Sequence, residues 1–319
     1  MPSKIKKSAL PSLEDFLLYI QANNYSKETL YNYERDLETF EFFLVREMGN
    51  LPFPNVTKRT IEQFKAYLNS RDRKTAKGAP AQQNLQSGSI NRTLTSLRRY
   101  LAYLIDMDQK APVVPGSIKL LRMEKKHPQV SELQELKKLI ESPTQFEKDK
   151  MVALRNRAAL ETLFASGMRI SELINLKRIQ IDKSGRIFIL GKGKKQRFIY
   201  LTERAKKHID NYLKERTDDF PHLFIPDRGI NAKDKNKHIS PNYLQMKIKK
   251  YRELLGINLP ISAHSLRHGF ATYLAEEGAN PAAIQILLGH ESLDTTTRYV
   301  HASDKYAEKT HKDFHPLKD

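Results

Sequence analysis

The sequence predicts a mainly α protein with a small antiparallel β-sheet, arranged as two domains. Three observations carry that expectation. Apolar residues recur at steps of three and four through most of the chain, the spacing of one face of a helix. Residues 179–201 break that rhythm with short runs rich in Ile and Phe. The chain has 319 residues, and a proline-bearing segment without any period lies about one third of the way along it.

The N-terminal part, residues 1–107, is expected to be a bundle of four helices. Leu13–Ile20 makes a short first helix. Leu30, Tyr33, Leu37, Phe40 and Leu44 mark a long second one that starts at Ser26 and stops at Gly49-Asn50-Leu51-Pro52. Ile61, Phe64 and Leu68 follow Thr57 in a third, and Ile90, Leu94, Leu97, Leu101 and Leu104 form the fourth. The polar stretch Asp72–Ser89 reads as an exposed connection. Residues 108–130 hold Pro112, Pro115 and Pro128 and five basic residues, and read as a basic inter-domain linker.

Helical spacing resumes at Ser131 (Leu133, Leu136, Leu139, Ile140), and a longer helix covers Val152–Ser166. Three strands are then expected, Ile179–Asp182, Arg186–Leu190 and Gln196–Leu201, joined by Lys183-Ser184-Gly185 and by the lysine-bearing turn Gly191–Lys195. Helices return over Glu203–Lys214, Pro241–Leu255, Ser265–Gly278 and Pro281–Leu288, with a loop at Asp218–His238. Residues 131–302 are expected to form the second domain and 303–319 a C-terminal tail.

Composition narrows the partner. Lys and Arg number 55 against 37 Asp and Glu, a formal charge of +18. The excess is spread as +5 over residues 1–107, +3 over 108–130 and +10 over 131–319, so it is not a tail. A clamp that touches a long polyanion from several sides fits that distribution. No run of apolar residues is long enough to span a membrane, and Glu14 and Asp15 interrupt the apolar stretch that a signal peptide needs. With no cysteine there is neither a disulfide framework nor a thiolate metal site nor a cysteine nucleophile. A cytoplasmic location is expected.

Several residues stand out, each with an ordinary reading of its own. Arg169 sits at a glycine-marked break between apolar helical segments, so it is expected to be partly buried and to need an anion, which Glu172 can supply. His264 and Arg267 lie three apart at a helix start that Ser265 can cap, a geometry suited to a phosphate oxygen. His264 and His268 are four apart, the spacing of two metal ligands on one helix. There is no H-E-x-x-H pattern and no cysteine beside them, so no metal is expected and His268 reads as a packing residue. Lys192 alone is an exposed turn lysine, His290 follows a helix-ending glycine, and Tyr299 alone is a core-edge tyrosine. Arg92, Arg98 and Arg99 line the polar side of the fourth helix. They and Lys194, Lys195 and Arg197 are candidates for gripping DNA phosphates.

In order, Arg169, Lys192, His264-x-x-Arg267, Leu-Gly-His290 and Tyr299 resemble the active-site signature of the tyrosine recombinase (phage-integrase) family. The wording Gly-Met-Arg-Ile-Ser-Glu-Leu, Gly-Lys-Gly-Lys-Lys-Gln-Arg and Leu-Leu-Gly-His is most similar to its Xer branch. The resemblance covers nearly the whole chain and implies a SAM-like core-binding domain before a catalytic one. It implies that Tyr299 attacks a DNA phosphodiester and forms a 3′-phosphotyrosyl link, with Arg169 and Arg267 on the non-bridging oxygens. It also implies His264 as general base, Lys192 as the acid for the departing 5′-oxygen, His290 as a further phosphate donor and Glu172 in support. No cofactor is implied. The implied partners are a roughly palindromic DNA site and further recombinase subunits. Those subunits make a dimer per site and a tetramer on synapsis, either as one protein or with a second recombinase. A DNA translocase is a candidate activator, and the tail 303–319 a candidate segment for exchange between protomers. Chromosome dimer resolution and mobile-element movement are both open. A type IB topoisomerase and a non-catalytic DNA-binding regulator are the competing readings.

Overall fold

The computed structural model of the chain describes residues 9–70, 73, 84–123, 131–190 and 196–289. Their contacts fall into two units, residues 1–126 and 127–319. No helix among the described residues is long and apolar enough to cross a membrane.

The first unit contains α1 (Leu13–Ala22), α2 (Lys27–Phe42), α3 (Lys58–Asn69) and α4 (Ser87–Asp106). Local chemistry sets their ends. The Ser26 hydroxyl accepts from the Thr29 amide at 3.2 Å and starts α2. Thr57 and Thr60 cap α3 reciprocally, each hydroxyl accepting from the other's amide at 3.2 and 3.1 Å. The chain beyond α2 turns away at Gly49 and Asn50, both left-handed, with φ of 63° and 61°. The apolar faces meet in one core in which Phe16, Leu37, Phe40, Phe64 and Leu104 are buried. The Phe40 and Phe64 rings pack edge-on with centroids 4.9 Å apart.

α4 begins at Ser87, so the last three residues of the stretch 72–89 form a first helical turn and not part of a connection. Residues 74–83 lie outside the described residues. Beyond α4, Val113 and Ile118 are buried in the same core. The Asn91 side chain holds Leu121 by two bonds, donating to its carbonyl at 2.9 Å and accepting from its amide at 2.7 Å. Residues 108–121 therefore pack on the helices that precede them, and 124–130 lie outside the described residues.

The second unit is built around α7 (Lys150–Ser166). The Asp149 carboxylate caps its start by accepting from the Val152 amide at 3.1 Å, and Gly167, left-handed at φ 60°, ends it. The short helices α5 (Leu133–Glu141), α6 (Pro143–Phe146) and α8 (Ile170–Ile174), with the longer α9 (Glu203–Glu215), α10 (Pro241–Leu254) and α11 (Ala263–Glu276), complete the helical body. α12 (Pro281–Leu288) lays Ile284 and Leu288 against Ala271 and Ala275 of α11. Ser262 caps α11, not Ser265 as expected. Its hydroxyl accepts from the Ser265 amide at 3.2 Å, and Ser265 returns the bond at 3.1 Å. The helix starts two residues earlier, at Ala263, and closes at Glu276, before Gly278.

The sheet has two strands where three were expected. β1 (Arg186–Leu190) and β2 (Gln196–Tyr200) run antiparallel with Ile187 opposite Ile199 and Ile189 opposite Arg197. Of the stretch 179–182 only Ile181 pairs, by a single bridge to Ile187. The cause is local. The Gln180 side chain accepts from the Lys177 amide at 2.8 Å and curls the chain into a 3₁₀ turn. The Asp182 carboxylate binds the Arg186 amide at 2.9 Å and closes the next turn, so no ladder extends through it.

A buried polar cluster ties the 218–238 loop to this body. Arg155, 1% exposed, donates to the Ile225 carbonyl at 2.8 Å and to Asp227 Oδ1 at 2.6 Å. Beside it, Asn156 donates to the Tyr251 hydroxyl at 2.7 Å, which donates to Glu147 Oε1 at 2.6 Å. Arg155→Leu removes the buried partner of Asp227, which keeps Arg228 at 2.8 Å, and is expected to destabilise the second unit by about 1.5–3 kcal/mol. Urea unfolding followed by circular dichroism measures this, and an unchanged midpoint would contradict the role given to the cluster.

Candidate active site

The end of α7 and the end of α12 create the site. Past Gly167 the chain buries Met168 and places Arg169 at the N-cap of α8. The Glu172 carboxylate closes that cap, accepting from the Arg169 amide at 2.8 Å and from Arg169 Nη1 at 3.1 Å. Gly167 is required twice over. Its φ is 60°, and a Cβ there would lie 2.3 Å from the Phe270 ring, so α11 comes directly against the turn. That approach brings in Arg267, 4% exposed, whose Nη1 donates to the Gly167 carbonyl at 2.7 Å.

Three arginines then meet the C-terminal end of α12. Arg197 Nε donates to the Leu287 carbonyl at 3.0 Å, Arg267 Nη2 to the Leu288 carbonyl at 2.7 Å and Arg169 Nη2 to the Gly289 carbonyl at 3.1 Å. The last carbonyls of a helix have no partner within it and carry its negative end, so they suit cations. Glu172 supplies the remaining negative charge. It is nearly buried and also takes the Arg197 fork, Nη1 to Oε1 at 3.0 Å and Nη2 to Oε2 at 2.6 Å. Burial alone would raise the pKa of this carboxyl. The bonds from Arg197 and the Arg169 amide, with the charges of both guanidinium groups, outweigh it and hold the pKa below the ordinary glutamate value.

His264 lies exposed in the first turn of α11. Its Nε2 is 2.7 Å from His268 Nε2, so one ring donates its N–H and the other accepts. Partial burial, then the charges of Arg267 and Arg169, lower the His264 pKa below 6.5. The ring is neutral at physiological pH and able to take a proton. Among the described residues no three His, Cys, Asp or Glu side chains group so as to hold a metal.

The structure thus brings Arg169, Glu172, His264 and Arg267 together. Lys192, Lys194, Lys195, His290 and Tyr299 lie outside the described residues, as does the tail 303–319. In sequence, β1 ends at Leu190 just before Lys192 and β2 begins at Gln196 just after Lys195, and Gly289 directly precedes His290.

Among the candidate DNA contacts, Arg197 is corrected. It is 8% exposed, and Nε, Nη1 and Nη2 are all engaged inside the protein. Strand alternation turns it inward with Ile199, while Gln196, Phe198 and Tyr200 face out. Arg92 is exposed but donates to the buried Asp36 carboxylate at 2.6 Å, which also accepts from the Ser96 hydroxyl at 2.8 Å. Arg99 donates to the Tyr19 hydroxyl at 3.2 Å, and Arg98 is half-buried. Sequence reasoning missed both the Asp36 anchor and the inward role of Arg197.

Comparison with known proteins gives the family and the fold. The model of the phage integrase family matches residues 130–306, and that of the phage integrase N-terminal SAM-like domain matches residues 13–107. Tyrosine recombinase XerC of Pelobacter propionicus is 32% identical over 302 residues, covering 92% of this chain and 91% of its own. XerC of Lactobacillus delbrueckii subsp. bulgaricus is 31% identical over 311 residues, covering 96% and 99%. Among solved structures, the XerH site-specific recombinase bound to palindromic difH substrate in a post-cleavage complex superposes with a TM-score of 0.69. It is 22% identical and covers 94% of this chain and 83% of its own. A lambda integrase dimer bound to a COC′ core site gives 0.67 at 14% identity, covering 90% and 75%.

Because the Glu172 carboxyl titrates lower in the folded chain than in the unfolded one, its stabilisation is complete above 4.5 and is lost as the pH falls through its depressed value. Glu172→Gln is expected to cost about 3–5 kcal/mol at neutral pH, with the gap to the unaltered chain closing on acidification. Denaturant midpoints across pH check this, and a gap that does not change with pH would contradict it.

Proposed function

The chain belongs to the phage integrase family, the tyrosine recombinases, and from that premise we propose how its residues perform site-specific DNA recombination. The observation that carries the reading is the convergence of Arg169 and Arg267 on adjacent carbonyls of one helix end, with a neutral imidazole, His264, beside them. Two planar forks fixed in that way suit the two non-bridging oxygens of a phosphodiester, whose charge grows in the transition state.

The reaction is an ester exchange. The Tyr299 phenol oxygen attacks the scissile phosphorus in line, a new P–O bond forms to the tyrosine, and the bond to the 5′-oxygen breaks. His264 takes the phenol proton and Lys192 gives one to the departing 5′-oxygen, so a 3′-phosphotyrosyl end and a free 5′-hydroxyl result. A free phenol near pKa 10 is scarcely ionised at neutral pH, and the surrounding positive charge makes up the difference. His290, next after the Gly289 whose carbonyl Arg169 holds, donates to the same phosphate. Bond energy is retained in the phosphotyrosine, so a 5′-hydroxyl from another strand reseals it without ATP, first into a Holliday junction and then into recombinant duplexes.

The +18 charge suits a clamp around duplex DNA. The XerH and lambda integrase neighbours, bound to a palindromic site and as a dimer on a core site, support a dimer on each roughly two-fold site, and two such dimers joining as a tetramer at synapsis complete the proposal. The subunits are one protein or two related ones. Likeness to XerC favours chromosome dimer resolution over mobile-element movement, and a cytoplasmic location with a DNA translocase as a candidate activator belongs to the same proposal. Arg92, Arg98 and Arg99, with Lys194 and Lys195, are the proposed backbone contacts.

The test is a covalent trap. Incubated with a nicked duplex selected from genomic fragments for tight binding, the unaltered chain is expected to form a denaturant-resistant protein–DNA adduct. Tyr299→Phe is expected to form none while binding the same duplex within about threefold, since it removes one oxygen that contributes to the chemistry and not to the clamp. An adduct from the variant, or a loss of binding, would overturn the assignment of the nucleophile.

A further inference from the structure

We infer that Arg197 is a positioning residue, which sets the Arg169 guanidinium through Glu172 and fixes the end of α12 on which both phosphate-binding arginines rest. This deepens the function proposed above and rests on that reading of Arg169 and Arg267.

Position 197 is an unusual place for a charge. It lies on the inner face of β2 beside Ile199 and opposite Ile189, both buried, where an aliphatic side chain would pack without desolvating anything. It also lies next to two other guanidinium groups. An arginine is retained there against both penalties only where its bonds accomplish something that packing cannot.

Those bonds form two routes to the phosphate site. On the first, the Arg197 fork spans both Glu172 oxygens, and the same oxygens hold Arg169 by its amide and by Nη1. Glu172 is pulled from both sides, so its rotamer and that of Arg169 are set together. On the second, Arg197 Nε holds the Leu287 carbonyl, one residue before the carbonyl that holds Arg267 and two before the one that holds Arg169. Gly289 makes the approach possible. A Cβ there would lie 3.0 Å from Arg197 Cδ and 3.1 Å from Nη1, and its φ is 64°.

Arg197 is buried, and its whole fork is engaged by Glu172 and the Leu287 carbonyl, so its bonds hold its neighbours in place. Lysine is no substitute. Its single ammonium keeps the charge but does not span two carboxylate oxygens and a carbonyl in fixed directions. A misplacement of about 1 Å in a positioning group costs on the order of 10²-fold in rate.

The experiment is a double-mutant cycle on single-turnover cleavage of the nicked duplex, with DNA affinity measured alongside. Arg197→Lys is expected to slow adduct formation about 10²-fold and to leave DNA affinity within about threefold. In an Arg169→Ala background the same change is expected to cost clearly less than in the unaltered chain, because the route through Glu172 is gone and only the one through the end of α12 remains. Glu172→Gln, which removes the shared anion from the other side, is expected to reduce the effect of Arg197→Lys in the same partial way, and circular dichroism of each variant shows that the rates are read on folded protein. Additive losses, a parallel loss of DNA affinity or an unchanged rate for Arg197→Lys would overturn the inference. No adduct from the unaltered chain would instead strike at the recombinase reading itself.

Discussion

Like charges repel, and bringing Arg169, Arg197 and Arg267 to one helix end is unfavourable unless something of opposite sign is fixed among them. Two features of this fold provide it. The Leu287, Leu288 and Gly289 carbonyls each take one guanidinium, and the Glu172 carboxylate takes two. The compensation is incomplete by design of the geometry, since one full negative charge faces three positive ones. The site therefore keeps a strong appetite for a further anion, and Arg169, one third exposed, presents it to solvent. Two glycines serve that balance. Gly167 lets α11 come close enough to deliver Arg267, and Gly289 leaves room for Arg197.

The functional consequence is preorganisation. An arginine that waits in water must be desolvated and oriented when its substrate arrives. Arg267 and Arg169 are already oriented by backbone carbonyls that belong to secondary structure, so little reorganisation remains for the chemical step. Partial burial, and after it the same positive field, depresses the His264 pKa. On the function proposed above, one electrostatic arrangement attracts the phosphate and stabilises its extra charge. The first unit repeats the device on a smaller scale, where buried Asp36 orients the exposed Arg92.

Much of this was legible in the sequence, for identifiable reasons. Steps of three and four located the helices because one face of each is buried, and Gly167 and Gly289 announced the turns that carry the site. Arg169 and Glu172 were legible as a pair because they are three residues apart. What escaped notice depended on contacts distant in sequence or on competition within a turn. Arg197 stands in a run of lysines and read as one more exposed cation, although the alternation of β2, with Phe198 outward, already pointed it inward. Its partners, Glu172 and Leu287, are 25 and 90 residues away. The third strand failed because Gln180 and Asp182 bond to nearby amides, a preference that the Ile spacing does not register. Ser265 was taken for the cap that Ser262 forms, a shift of three positions within one reciprocal motif.

The most direct measurement is the structure of the full chain, as Tyr299→Phe, on its own DNA site. The account predicts that the non-bridging oxygens of the scissile phosphate lie about 3 Å from the Arg169 and Arg267 guanidinium groups, with Arg197 still on Glu172 and the Leu287 carbonyl. A scissile phosphate held elsewhere, with those two side chains facing away from it, would contradict it.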